Sequence, residues 1–294
     1  MLLYDRSASN RRSSWILIIA FVIIIIALGS VIGTLTGYGS IITVFAFIFA
    51  IMMAFVGYYW SADIALKISR AVPADPVKYR HLHNVVEGIS IAAGIPKPQV
   101  YIVEDPALNA FATGRDPEHS AVAVTRGLLE KMNDSELEGV LAHEMSHVKN
   151  RDIQFMTLVV VLVGVITLIS DIFLRSFFWG RGSNERGNAG LILLAIGIVL
   201  AVLAPLFATL IRLAISRKRE YLADVDGVLL TRYPQGLINA LQKLKADERP
   251  VASATGATAH LWIDNPLKNT FYSNLFSTHP PIDDRIKALQ NLRP

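Results

Sequence analysis

From Ser13 to Ala62 the chain carries no Asp, Glu, Lys or Arg. That single stretch narrows the possible folds more than anything else in the sequence. Roughly 20 apolar residues at about 1.5 Å each cross the hydrocarbon core of a bilayer. The stretch therefore holds two crossings, with a turn near Thr34-Leu35-Thr36-Gly37-Tyr38-Gly39-Ser40. Arg11 and Arg12 precede it, as basic residues precede a cleaved signal peptide. The run is longer than a signal core of about 7–15 residues, however, and a second span follows almost at once. Ile153–Ser170 and Gly187–Ile211 are also free of charged side chains. Four transmembrane helices are predicted, and they account for a chain that is 52% hydrophobic and only 18% charged.

Basic residues near span ends set orientation. Arg6, Arg11 and Arg12 precede the first span, Lys67 and Arg70 follow the second, and Arg217, Lys218 and Arg219 follow the fourth. The hydrophilic segments are therefore expected in the cytoplasm. Arg175, Arg181 and Arg186 lie in the opposite loop and weaken the asymmetry. In either orientation an even number of spans separates the two hydrophilic segments, which can build one domain. The expected organisation is a tail with helices one and two over 1–62, and a first part of the hydrophilic domain over 63–152. Helices three and four follow over 153–212, then the second part of that domain over 213–294. There is no cysteine, which excludes disulfides and thiolate ligands. The net charge of +4 fits lysine and arginine beside anionic lipid. No recognition helix or aromatic-basic groove points to nucleic acid.

Within the hydrophilic segments, residues 75–93 read as a helix. Gln99–Val103 and Ala121–Thr125 read as strands. Asn133 sits three before Glu136, the spacing of a capping box, and predicts a helix running through Lys149. Helices are also expected over 220–230, 234–245 and 282–292. The stretch 250–278 reads as irregular, a candidate lid.

The chemistry starts at His143-Glu144-Met145-Ser146-His147. Four residues advance a helix by about 400°, so the two imidazoles stack on one face and can share one metal ion. Glu144 is turned about 100° away, able to reach a water without ligating. Zinc acidifies such a water and polarises a carbonyl, while the glutamate handles the proton. A third protein ligand is needed, and Glu220-Tyr221-Leu222-Ala223-Asp224 offers two carboxylates on one helical face. One can ligate while the other orients a histidine through its second ring nitrogen. His81 and His83, two apart, share no helical face, His119 and His260 sit in polar loops without partners, and all four read as surface residues. Trp15 and Tyr58-Tyr59-Trp60 read as an interfacial aromatic belt.

In combination these motifs resemble the HtpX-type membrane metalloproteases, gluzincins related to the CAAX prenyl endopeptidases. The resemblance also rests on Asn109-Ala110-Phe111, Ala123-Val124-Thr125-Arg126-Gly127-Leu128, and Thr278-His279-Pro280-Pro281, and it spans nearly the whole chain. It implies a mainly α membrane protein with a cytoplasmic zincin-like α+β domain. One Zn2+ per chain would be held by His143, His147 and Glu220, with Glu144 as general base and Asp224 behind a ligand. Asn109 and His279 would hold the substrate backbone or the oxyanion, and Arg285 would order that corner. Ala121–Thr125 resembles the edge strand against which an extended substrate pairs. The implied activity is endopeptidase cleavage of unfolded or damaged membrane proteins at the inner, or plasma, membrane. CAAX-tail processing fits less well, because those relatives carry more spans.

Two rivals compete. An intramembrane protease would bury its histidine motif in an apolar span, yet Glu136, Glu138, Lys149, Arg151 and Asp152 flank this one. A non-catalytic zinc transporter or sensor would place ionisable ligands inside the spans, where none occurs, and has no use for Glu144.

Overall fold

Two long apolar helices, α1 (Leu3–Thr36) and α2 (Gly39–Ile68), lie side by side as an antiparallel hairpin. The turn falls where the charge-free stretch predicts it, and Gly37 there has a φ of 78°, a left-handed conformation that glycine adopts without strain. Near the open end, the ring of Trp15 stacks on Tyr58 with centroids 5.8 Å apart. Both helices are long and apolar enough to cross a membrane; among the described residues they are the two that are. The computed structural model describes residues 3–179, 197, 217–268 and 280–292. Helix α6 (Asp152–Trp179) begins at the expected third span and packs through Phe155, Leu158 and Leu162 against Phe21 of α1 and Ala54 of α2. The expected fourth span lies outside the described residues, Gly197 apart.

After α2, strand β1 (Ala71–Pro73) leads to α3 (Arg80–Ala93). That helix starts later than expected because Asp75 folds back on the chain, its Oδ1 accepting from the N–H groups of Val77 and Lys78 at 2.8 Å each. Strands β2 (Gln99–Val103), β3 (Ala110–Gly114) and β4 (Ser120–Thr125) complete a sheet of order β1-β2-β4-β3. β4 runs parallel to β2, with Val100 opposite Val122, and antiparallel to β3, with Ala112 opposite Val122. This corrects the reading of Ala121–Thr125 as an edge. Both of its sides are paired, and the edge strands are β1 and β3.

A short helix α4 (Arg126–Lys131) precedes α5 (Asp134–Lys149), the histidine-bearing helix. Its start is the predicted capping box: Asn133 Oδ1 accepts from the Glu136 N–H at 3.0 Å, and Glu136 Oε2 accepts from the Asn133 N–H at 2.9 Å. From the later segment come α7 (Arg217–Thr231), α8 (Pro234–Ala246) and α9 (Ile282–Gln290). α5 packs against α7, α8 and β3, and one apolar core joins Val140 and Met145 of α5 to Val122 of the sheet, Leu241 of α8 and Ile286 of α9. The two hydrophilic segments thus share a core.

The described part of the irregular stretch, 250–268, packs into the protein. Trp262 is fully buried, with its ring 4.7 Å from that of Phe111, and the Ile263 N–H donates to the Ala110 carbonyl on the outer edge of β3 at 3.0 Å. The surface reading of His260 is corrected here. It is buried, with Nε2 2.8 Å from the Met156 carbonyl of α6, because its short helical turn is pressed onto that helix. The other three histidines also have partners. His81 lies 3.1 Å from Asp134, His119 2.6 Å from Asp116, and His83 3.0 Å from the Ala74 carbonyl.

Candidate metal centre

The histidines of α5 and the first acidic residue of α7 converge. Donor atoms of His143, His147 and Glu220 all lie within 4.8 Å of one another, and all three residues are buried. The imidazoles stand one turn apart, with ring centroids separated by 4.9 Å and planes at 88°. Nε2 of His143 is 3.6 Å from Glu220 Oε2, and Nε2 of His147 is 3.7 Å from Glu220 Oε1. These separations are too long for hydrogen bonds. They match donors that share an ion, since two ligands about 2.1 Å from a tetrahedral metal stand roughly 3.4 Å apart. The set of two imidazole nitrogens and a carboxylate, buried and mutually oriented, fits a divalent metal.

The opposite ring nitrogens are also engaged. His143 Nδ1 lies 2.9 Å from Asp224 Oδ1. Arg285 grips that carboxylate from α9, Nε donating to Oδ2 at 2.9 Å and Nη2 to Oδ1 at 2.6 Å, and its Nη1 donates to the Ile263 carbonyl at 2.9 Å. His147 Nδ1 lies 3.1 Å from Asp152 Oδ2, at the start of α6. The sequence reading assigned Asp152 no role. Its position five residues after His147, beyond the helix end, conceals the contact; Arg151, with φ 58°, turns the chain so that Asp152 faces back. With each Nδ1 hydrogen-bonded to a carboxylate, both Nε2 atoms are left for the metal.

The electrostatics follow from burial and these partners. For His143, burial and the Arg285 charge favour the neutral ring, but the carboxylates of Asp224 and Glu220 prevail and raise its pKa to about 9. Burial works against the His147 cation too, yet Asp152 and Glu220 hold its pKa above the ordinary value. Burial would raise Asp224, but Arg285 and His143 pull it down to about 2. Glu144 moves up, chiefly through burial, although both histidines and a hydrogen bond from the Ala112 N–H oppose the shift. That N–H belongs to the edge strand, so β3 holds the glutamate at the site.

Of the remaining expected site residues, Asn109 is buried at the start of β3. Its Nδ2 donates to the Asp264 carbonyl at 3.0 Å and its Oδ1 accepts from the Ala110 N–H at 3.1 Å. His279 lies outside the described residues.

Residues 76–293 match Peptidase family M48. The chain belongs to peptidase family M48. As a member with two apolar helices of membrane-spanning length and a buried His-His-Glu group, it is a membrane-bound metallopeptidase. A Protease HtpX homolog of Caldanaerobacter subterraneus subsp. tengcongensis is 47% identical, over 99% of this chain and 98% of its own length. Homologs of the same name from Tropheryma whipplei and Dictyoglomus turgidum are 44% and 42% identical, covering 99% and 98% of this chain and 99% and 94% of their own. A crystal structure of S. mikatae Ste24p is similar at a TM-score of 0.48 and 17% identity; the match covers 83% of this chain and 56% of that one.

Proposed function

We propose that this M48 peptidase is a zinc-dependent endopeptidase of the cell membrane that cuts unfolded or damaged membrane proteins. Its organisation on this reading is the one expected from the sequence: spans over 1–62 and 153–212, and a cytoplasmic catalytic domain assembled from 63–152 and 213–294. The observation that carries the reading is the buried convergence of His143 and His147 of α5, whose Glu144 is held by the edge strand, with Glu220 of α7. The quality-control role is supported by the relatives named Protease HtpX homolog.

His143, His147 and Glu220 would hold one Zn2+, which when bound polarises the scissile carbonyl and acidifies the attacking water. Glu144 takes the proton from that water and delivers it to the departing amine. Its raised pKa suits both halves of that cycle. Asp224 keeps His143 in the tautomer with a free Nε2, and Arg285 keeps Asp224 in place. An extended substrate would add to the outer edge of β3, in place of the Ile263 N–H that the Ala110 carbonyl now receives. Asn109 and His279 would hold its backbone or the oxyanion, a contribution of a few kcal/mol in the transition state.

The test compares casein cleavage by detergent-purified, zinc-loaded wild type and Glu144→Gln. Cleavage lost with one zinc equivalent retained supports the assignment. If both variants bind zinc and neither cuts casein or an unfolded membrane protein, the catalytic reading fails.

A further inference from the structure

Asn10 lies near the start of α1, about 140 residues from the histidine motif, and it is buried. A buried side-chain amide is unfavourable unless its hydrogen bonds are made. Here both N–H groups of its Nδ2 are used. One donates to the Asn150 carbonyl at 2.9 Å and the other to Asp152 Oδ1 at 2.6 Å. Both partners are acceptors, so the chemistry requires the nitrogen, not the oxygen, to face this turn. Asp152 uses its other oxygen for His147 Nδ1 at 3.1 Å. Arg219 of α7 approaches the same carboxylate, its Nε 3.5 Å from Oδ1.

The two histidines are therefore backed in parallel ways by different parts of the molecule. Behind His143, Asp224 is fixed by Arg285 of α9, inside the hydrophilic domain. Behind His147, Asp152 is fixed by Asn10 of the first apolar helix. A carboxylate held on one oxygen has one way to present the other. Released from Asn10, Asp152 Oδ1 is left to the longer Arg219 contact, which draws the carboxylate toward α7 and loosens the His147 ring.

We propose that Asn10 is a positioning residue of the metal centre: through Asp152 it orients His147, so docking of the first membrane helix is part of assembling the zinc site. The inference rests on the ligand assignment proposed above. In consequence, changes at the N-terminal anchor are felt as metal affinity and not merely as membrane attachment.

The experiment measures Zn2+ affinity of the detergent-solubilised full chain by competition with a chromophoric chelator. Each variant is also melted in its metal-free form. Asp152→Asn is expected to weaken zinc by roughly 10–100-fold, and Asn10→Leu by about 10-fold, with one equivalent still bound. Asn10→Gln, which keeps the amide donors, recovers most of the loss. Trp15→Ala loosens the α1–α2 stack but leaves Asn10 in place; it lowers the melting temperature without changing zinc affinity.

Wild-type affinity in Asn10→Leu beside a weakened Asp152→Asn would overturn the proposal. So would equal losses in Asn10→Leu and Trp15→Ala, which would mean that any undocking of α1 suffices. Should Asn10→Leu fail to fold, Asn10→Ser carries the same comparison. His147→Ala separates the two levels of the argument: if it binds zinc normally, the ligand assignment itself is wrong.

Discussion

Arg285 and Asp224 form a two-point ion pair with almost no solvent access, Nε to Oδ2 at 2.9 Å and Nη2 to Oδ1 at 2.6 Å. Removing one member strands the other as a buried charge, which typically costs about 3–5 kcal/mol. Arg285→Met is therefore expected to lower stability by that amount in denaturant melts. The double variant Arg285→Met with Asp224→Asn recovers a large part, because no net charge is left unpaired. Additive losses in the double variant would show that the two side chains act independently.

The metal-free and zinc-loaded forms should respond oppositely to pH. His143 has a folded pKa of about 9, against 6.5 for the ordinary group. A raised folded pKa stabilises fully below the unfolded value and loses that contribution as pH rises through the folded one. Metal-free protein is thus expected to melt at progressively lower temperature between pH 6.5 and 9. Zinc requires the neutral ring, so its binding displaces protons and strengthens over the same window. Melting temperature of the zinc-loaded chain should hold or rise there. A metal-free curve flat from pH 6.5 to 9 would contradict the raised pKa.

The site was legible in the sequence wherever its residues lie on one helix face. His143 and His147 are a turn apart, and so are Glu220 and Asp224; the Asn133–Glu136 capping box marked where the histidine helix starts. What escaped was set by tertiary packing. β3 is buried at every position, so it lacks the alternation of a half-exposed strand, and it ends in glycine. The family resemblance assigns the edge to Ala121–Thr125, and only the pairing of β3 along it shows that strand to be internal. Asp152 looked like a charge at a membrane boundary because a turn, not a helix face, brings it to His147. His260 sits in polar sequence and is buried only by its contact with α6.

That turn depends on Arg151, a side chain held at φ 58° between α5 and α6. Left-handed backbone costs a residue other than glycine roughly 1–2 kcal/mol, while glycine's extra freedom in the unfolded chain offsets part of the relief. The Arg151 side chain contributes little in return: its ion pair with Glu118, at 4.0 Å, lies on the surface. Arg151→Gly is expected to stabilise by about 0.5–1 kcal/mol with zinc affinity unchanged. Arg151→Val, β-branched, should destabilise and weaken zinc together, since it shifts Asp152. Chemical denaturation and chelator competition on both variants decide the matter.

At Gly227, α7 packs closely against the backbone of the metal helix. A Cβ added there would stand 3.0 Å from the His143 nitrogen and 3.2 Å from its Cα, both backbone atoms that cannot rotate away. Glu220, Asp224 and Gly227 share one face of α7, so pushing the helix back at Gly227 also withdraws the third ligand and the partner of His143. Gly227→Ala is expected to cost about 1–3 kcal/mol, in the range of other overpacked cores, and to weaken zinc. Gly88 supplies the contrast. It lies exposed in α3 with nothing within 4 Å of an added Cβ, so Gly88→Ala should stabilise by about 0.5–1 kcal/mol through helix propensity alone. The same chemical change with opposite signs, and with zinc affinity altered only at Gly227, is the signature of an α5–α7 contact that sets the ligand geometry. Unaltered zinc binding in Gly227→Ala would mean that Glu220 is positioned by something other than this approach.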